Sequence, residues 1–335
     1  MTIVYDRHIP FLAEAVQSYW PEVHLCPLEP SAIDAAAVRN ADVIVIRTRT
    51  QVNEALLQGS KVRLVCTATI GFDHIDTAYC DAHGIAWMSC PGCNAQAVCD
   101  YIEEVLTHYT YNIQHTTSHI TIGIIGVGHV GSLVAQMAER LGFTILLNDP
   151  PKGIGVPLDT IAEQCDIITF HTPLTYSGDY PTYHLCDASF LTKCRHNALI
   201  INAARGGIVD EQALLDSGRP FVLDTWENEP SINLQVLSHA RLASMHIAGY
   251  SMEGKRNATY MCLGAIARHF HLPLIEPSTN HTTPSNKNSG WLLRLTEQMK
   301  SAFFGQPADI RLKPSDISHQ IADIFESLRK NYPLR

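Results

Sequence analysis

Scarcity sets the first limits on this 335-residue sequence. No apolar run approaches the ~18–20 residues that span a bilayer, so no membrane-crossing helix and no membrane partner are expected. Positive charge is short: 24 Lys and Arg stand against 33 Asp and Glu, for a formal charge of -9. That balance excludes the basic stripe of a general nucleic-acid binder. An anionic ligand would need local Arg or Lys working against the global field. A metal-ligand set is missing too. Cys90-Pro-Gly-Cys93 is a C-x-x-C, but no second such pair completes four ligands, so a structural loop is expected and no metal. The ten cysteines are scattered, often within apolar runs, which predicts reduced thiols rather than a disulfide framework. Met1–Asp6 reads as a strand, not as the basic start and apolar core of a leader, so a cytoplasmic protein is expected.

What is present is an ordinary globular composition, 46% hydrophobic and 17% charged, at a length that suits two domains. Short β runs alternate with helical patterns, the mark of parallel α/β domains. Strands are predicted at Thr2–Tyr5, Val43–Ile46, Val62–Cys66 and Ile85–Met88. Further strands are predicted at Ile120–Ile125, Thr144–Leu147, Ile167–Phe170, Ala198–Ile201, Phe221–Leu223 and Leu242–Met245. Long helices are predicted near Asn94–Tyr111 and Gly254–His269, with a shorter one over Ser31–Val38. The expected fold is α/β, with two Rossmann-like or flavodoxin-like parallel-sheet domains, a cleft between them and a short C-terminal extension. Residues 1–93 and 250–275 form a discontinuous first domain, and 94–249 a nucleotide domain with its connecting helix. Residues 276–335 form a polar linker, Glu276–Gly290, and two further helical patterns, Trp291–Phe304 and Pro314–Lys330.

The most specific motif is Gly126-Val-Gly128-His129-Val130-Gly131, a G-x-G-x-x-G between a strand-like and a helix-like run. Gly126 permits a tight turn. Gly128 lets the backbone approach a pyrophosphate, and Gly131 lets helix pack on strand. The first helical turn, with His129 and Val130, offers N–H groups and a partial positive charge to phosphates. Asp149 ends the next strand, roughly 20 residues on, where an acid accepts a ribose 2′-hydroxyl and repels a 2′-phosphate. NAD is therefore favoured over NADP.

Polar clusters follow the later strands, where ligands bind in open α/β sheets. They are Asn202-Ala-Ala-Arg205-Gly-Gly207, Asp224-Thr-Trp-Glu227-Asn-Glu229-Pro230 and His246-Ile-Ala-Gly249-Tyr250. An Arg, a carboxylate and a His suit hydride exchange between a nicotinamide and a 2-hydroxy or 2-keto acid. Arg205 would grip the substrate carboxylate in a fork. His246 would take the hydroxyl proton, and Glu229 would orient its ring.

These segments, in this order and together with His171-Thr-Pro-Leu174, resemble the D-isomer-specific 2-hydroxyacid dehydrogenases. Arg47-Thr-Arg-Thr-Gln-Val-Asn53, Thr67–Asp76, Pro91-Gly-Cys-Asn-Ala95 and Tyr250-Ser-Met-Glu-Gly-Lys255 resemble one branch of that family, which acts on a small phosphorylated 2-hydroxy acid. The resemblance covers residues 1 to about 270, and Leu328-Arg-Lys-Asn-Tyr332 matches in the tail. It implies Arg205, Glu229 and His246 as the catalytic set. It implies that Thr172, Asp224 and Gly249 line the cofactor beside Asp149, and that Thr48, Thr69 and Tyr250 contact substrate. The substrate phosphate needs cations. Arg47 is the first candidate because it adjoins Thr48 at a strand end; Arg49, Arg329 and Lys330 are others. The resemblance implies a homodimer. Met245 stands where the family usually has Pro, which removes no catalytic group. Two other readings are another member of the family, of phosphoglycerate or glycerate type, and an NAD-sensing corepressor built on the same fold.

Overall fold

The computed structural model describes residues 1–113, 119–273, 290–304 and 314–332. Of the linker expected over Glu276–Gly290, only Gly290 lies within them. The chain folds as two compact units. One is Met1–Asn94 continued from Tyr250, and the other is Ala95–Gly249 continued by the helices after Gly290.

The first unit is built on β1 (Thr2–Asp6), β2 (His24–Leu28), β3 (Val43–Ile46), β4 (Leu64–Thr67) and β5 (Ala86–Met88). All pair in parallel, in the order β2-β1-β3-β4-β5, the flavodoxin-like order. β3 and β4 are short β-rich runs buried along their whole length, as a sheet covered on both faces requires. Successive residues face opposite layers. Ile3, Val43, Val45, Leu64 and Cys66 pack with Leu12 and Val16 of the helix Leu12–Tyr19 and with Leu263 and Ile266 of the helix Met252–Phe270. Val4, Ile44, Ile46 and Val65 pack with Val38, Leu56, Leu57 and Cys80 on the other side. Each such burial contributes roughly 1.5–3 kcal/mol.

In this unit two details differ from the sequence expectation. β2 was not anticipated; Pro27 interrupts its β pattern, and its edge position tolerates a residue with no N–H to donate. The helix expected over Ser31–Val38 is broken into a 3-10 turn, Pro30–Ala32, and a short helix, Ala35–Val38. Asp34 makes the break, because its side chain caps Ala37 N–H.

The second unit carries β6 (Thr121–Ile125), β7 (Thr144–Asp149), β8 (Ile154–Gly155), β9 (Ile167–Phe170), β10 (Leu199–Asn202), β11 (Phe221–Leu223) and β12 (Leu242–Ala243). Their order is β12-β11-β10-β9-β6-β7-β8, with only β8 antiparallel to its neighbour. Chain order reverses between β6 and β9, and such switch points are where open α/β sheets take ligands. The helix Trp291–Phe304 covers the edge strand β12. Thr296 Oγ1 accepts from Ala243 N–H at 2.9 Å and lies 3.1 Å from Ala243 C=O, so the edge is not left open. The helix Pro314–Lys330 belongs to the same unit and buries Phe325 completely. Among the described residues, no helix is long and apolar enough to cross a membrane.

Candidate active site

The glycine loop opens where β6 ends, at the switch point. Gly126 has φ 89°, and a Cβ there would lie 2.7 Å from the His171 carbonyl and 2.9 Å from the Thr172 methyl. A Cβ at Gly131 would land on the Gly126 carbonyl oxygen, so the helix His129–Arg140 packs on the strand only through glycine. Gly128, by contrast, faces open space. It caps that helix without a side-chain hydrogen bond, so no side chain occupies the first-turn N–H groups at His129 and Val130.

Asp149 ends β7 beside this loop. Its Oδ2 accepts from Val127 N–H at 2.9 Å and lies 3.5 Å from Lys152 Nζ. Thr172 follows β9, and its buried hydroxyl has no partner among the described residues. An uncapped helix start, an acid at the neighbouring strand end and an orphaned hydroxyl at the switch point together fit a dinucleotide. His171 next to them is held neutral: burial pushes its pKa down to about 3.

The remaining expected groups of this unit sit on three consecutive strand ends. Asn202 closes β10 and ties the following turn, donating from Nδ2 to Arg205 C=O and accepting from Ala204 N–H. Arg205 is exposed, and its Nη1 donates to Ala204 C=O at 2.7 Å. No carboxylate among the described residues pairs with it. A Cβ on Gly206 would collide with the Trp226 carbonyl. That glycine lets the Arg205 turn lie against the loop after β11, a role its place in the motif did not reveal.

After β11, Glu229 is fixed at both ends. Oε1 accepts from Trp226 N–H and Oε2 meets His246 Nδ1, each at 2.8 Å. With Nδ1–H donating to the carboxylate, Nε2 of His246 carries the lone pair, and it has no partner among the described residues. His246 itself has φ 57°, a left-handed conformation that costs a non-glycine residue about 1–2 kcal/mol.

Asp224 explains how that conformation is held. It is almost wholly buried, and its carboxylate accepts from Ser244 Oγ, Ile247 N–H and Ala248 N–H at 2.6, 2.8 and 2.9 Å. Its carbonyl accepts His246 N–H at 2.7 Å. Ser244 Oγ also lies 2.9 Å from Tyr101 OH, and its carbonyl accepts the Trp226 indole N–H. Asp224 thus organises the loop that presents His246. Gly249 closes the same loop.

A second carboxylate cluster stands in this unit, and sequence reasoning missed it. His184 meets Glu227 at 2.8 Å and Asp210 at 3.6 Å. The three could face a metal ion, yet each ring nitrogen of His184 already faces a carboxylate. Glu211 is buried beside them and accepts Glu227 N–H at 2.7 Å. Burial, then the nearby Glu227 and Glu229 charges, pushes its pKa up to about 8.

The first unit holds Arg47, Thr48, Thr69 and Tyr250. Arg47 and Thr48 follow β3 in a turn closed by Thr50 N–H on Arg47 C=O. Thr69 Oγ1 donates to Gly71 C=O and lies 2.6 Å from Thr67 Oγ1. Cys90 and Cys93 are buried in this unit's core. Cys90 Sγ lies 3.6 Å from Cys262 Sγ and 3.3 Å from Thr67 C=O. The hydrogen bond with Cys262, then burial, pushes the Cys90 thiol up, and burial pushes Cys93 up to about 12, which favours the protonated, less reactive thiols.

Residues 98–248 match the family model described as the D-isomer specific 2-hydroxyacid dehydrogenase, NAD binding domain. An erythronate-4-phosphate dehydrogenase of Bacteroides fragilis is 41% identical over 100% of this chain and 97% of its own length. One from Marinobacter nauticus is 37% identical over 100% of this chain and 92% of its own. Among solved structures, an NAD+-bound 3-phosphoglycerate dehydrogenase of Entamoeba histolytica matches 81% of this chain and 95% of its own with TM-score 0.66 and 22% identity, a likeness of fold. The chain is an NAD-dependent oxidoreductase and belongs to the erythronate-4-phosphate dehydrogenases, within the D-isomer-specific 2-hydroxyacid dehydrogenase family.

Proposed function

We propose that this chain oxidises 4-phospho-D-erythronate at C2, with NAD, to (R)-3-hydroxy-2-oxo-4-phosphooxybutanoate, a step of pyridoxal 5′-phosphate biosynthesis. The His246–Glu229 pair with its open Nε2 carries the reading, and the names of the full-length relatives supply the substrate. Arg205, forked and with no carboxylate partner among the described residues, binds the substrate carboxylate and polarises the forming C2 carbonyl. His246 Nε2 takes the proton of the C2 hydroxyl in oxidation and returns it in the reverse direction. Glu229 faces the imidazolium so formed and stabilises its charge. When bound, NAD accepts the C2 hydrogen with its electron pair.

Gly126, Gly128, His129, Val130 and Gly131 would hold the pyrophosphate, Asp149 the adenosine ribose, and Thr172, Asp224 and Gly249 the remainder. Thr48, Thr69 and Tyr250 would contact substrate, and Arg47 its phosphate. On this reading residues 1–93 and 250–275 form the substrate domain and 94–249 the NAD domain. The protein works in the cytoplasm as a homodimer.

The test is NAD reduction with 4-phospho-D-erythronate beside 3-phospho-D-glycerate and D-glycerate, with a 2-keto acid supplied to reoxidise any retained cofactor. Selective turnover of the phosphoerythronate, lost in His246→Ala, is expected. Turnover mainly of another acid would discard the substrate while keeping the chemistry.

A further inference from the structure

Lys255 is in the wrong place for a lysine that serves only stability. It lies in the first turn of the helix Met252–Phe270, behind the N-cap Ser251. A helix start carries partial positive charge, where an anion is favoured and a cation is not. The side chain is half-buried. Its pKa is lowered by burial first and then by the charge of Arg47. Two cations 208 positions apart in sequence are therefore held near one another at a helix N-terminus. No carboxylate among the described residues pairs with either. The only acid in the helix's first turn, Glu253, is exposed and bridges to neither cation.

Arg47 and Lys255 also line one hollow, with Ile9, Pro10, Ala68 and Thr259 completing its wall. The hollow measures about 20 Å³, enough for one water-sized group. Its other walls offer little competition for the cations. Thr259 Oγ1 is already engaged with Pro10 C=O and Lys255 C=O, at 2.9 and 3.1 Å. Neighbouring Arg256 is turned elsewhere, over the Phe11 ring. Like charges brought together, partly desolvated and left without counter-ions destabilise the free protein. Such an arrangement persists where a ligand supplies the missing negative charge.

We propose that Arg47 and Lys255 together form the subsite for the terminal phosphate of the substrate, one phosphoryl oxygen entering the hollow between them. A dianionic phosphate matches the two positive charges, and the helix start adds its dipole. Arg47 can bind two oxygens through its fork, while Lys255 acts as a point charge. This rests on the phosphorylated substrate proposed above, and it assigns to Lys255 the discrimination between phosphorylated and unphosphorylated acids.

The test compares kcat/KM for 4-phospho-D-erythronate with that for D-erythronate in the wild type, Lys255→Met and Lys255→Arg. Loss of one charge-assisted contact should lower the phospho-to-plain ratio about 10–100-fold in Lys255→Met. Lys255→Arg should keep most of the ratio. A ratio unchanged in Lys255→Met overturns the subsite. A binding assay stands apart from the identity of the substrate. Millimolar inorganic phosphate should raise the Tm of wild type and not that of Lys255→Met. In phosphate-free buffer, Lys255→Met should melt no lower than wild type, because repulsion is relieved. A wild-type protein that turns over neither acid but shows the phosphate shift would remove the substrate and leave the site. A wild type with no phosphate shift would remove the site. A Lys255→Met that melts well below wild type would make Lys255 a structural residue and overturn the proposal.

Discussion

Two imidazole–carboxylate pairs of the same length lie in the second unit, and they do different things. His246–Glu229 and His184–Glu227 both measure 2.8 Å. Both histidines adopt positive φ, 57° and 50°. They differ at the second nitrogen. Nε2 of His246 has no partner among the described residues, so the ring is oriented at one end and open at the other. His184 meets a carboxylate at each end, and its ring stacks on Tyr183 at 4.0 Å. On the function proposed above, the histidine held at one nitrogen serves as the base, and the one held at both as a strut. Hydrogen-bond length alone does not separate the two.

The largest effect that would sharpen this contrast is His246→Ala. Loss of the proposed general base should lower kcat about 10²–10⁴-fold with NAD binding retained, checked by steady-state rates and cofactor titration. A loss under ten-fold would place the proton acceptor elsewhere. Glu229→Gln comes next. Removing the charge behind the imidazole should lower kcat about 10–100-fold, the weight of one charge-assisted hydrogen bond.

His184→Asn should behave oppositely. Asn tolerates the left-handed backbone, so the substitution isolates the ring. Glu227 and Asp210 would then face each other unpaired, and Tm should fall by about 3–6 °C while kcat stays within about three-fold. A kcat loss as large as that of His246→Ala would break the contrast.

The smallest effect concerns Glu211. Its folded pKa, pushed up to about 8, lies above the ordinary carboxylate value of 4.5. Between these values the folded chain holds a proton that the unfolded chain has released, so stability falls as pH rises through that window. Glu211→Gln removes the titration. The Tm of wild type relative to the variant should therefore decline from pH 5 to pH 8.5, read by calorimetry at both ends. A gap independent of pH would show that Glu211 is charged in the folded protein.

Much of this was legible in the sequence because it is local. Val43–Ile46 and Ile167–Phe170 are strands on pattern alone. Gly126 and Gly131 specify a turn whose geometry only glycine permits, and Asp149 closes the next strand. Arg205, Glu229 and His246 could be named because each follows a buried strand closely, where side chains reach a ligand. β2 and β8 were missed for the same reason: one contains Pro27 and the other is two residues long, so neither has a local pattern to read.

The alternation of elements, the dinucleotide loop and the candidates Arg205, Glu229 and His246 were legible in the sequence alone, since short-range sterics and burial period act within a few residues. Only the tertiary structure decided that Asp224 is the buried brace of the His246 loop, that Gly206 lets two loops touch, and that His184 is closed while His246 is open. It also decided that Lys255 shares a hollow with Arg47. These depend on parallel strands and helices bringing distant residues together, where desolvation and charge are set by neighbours rather than by the chain.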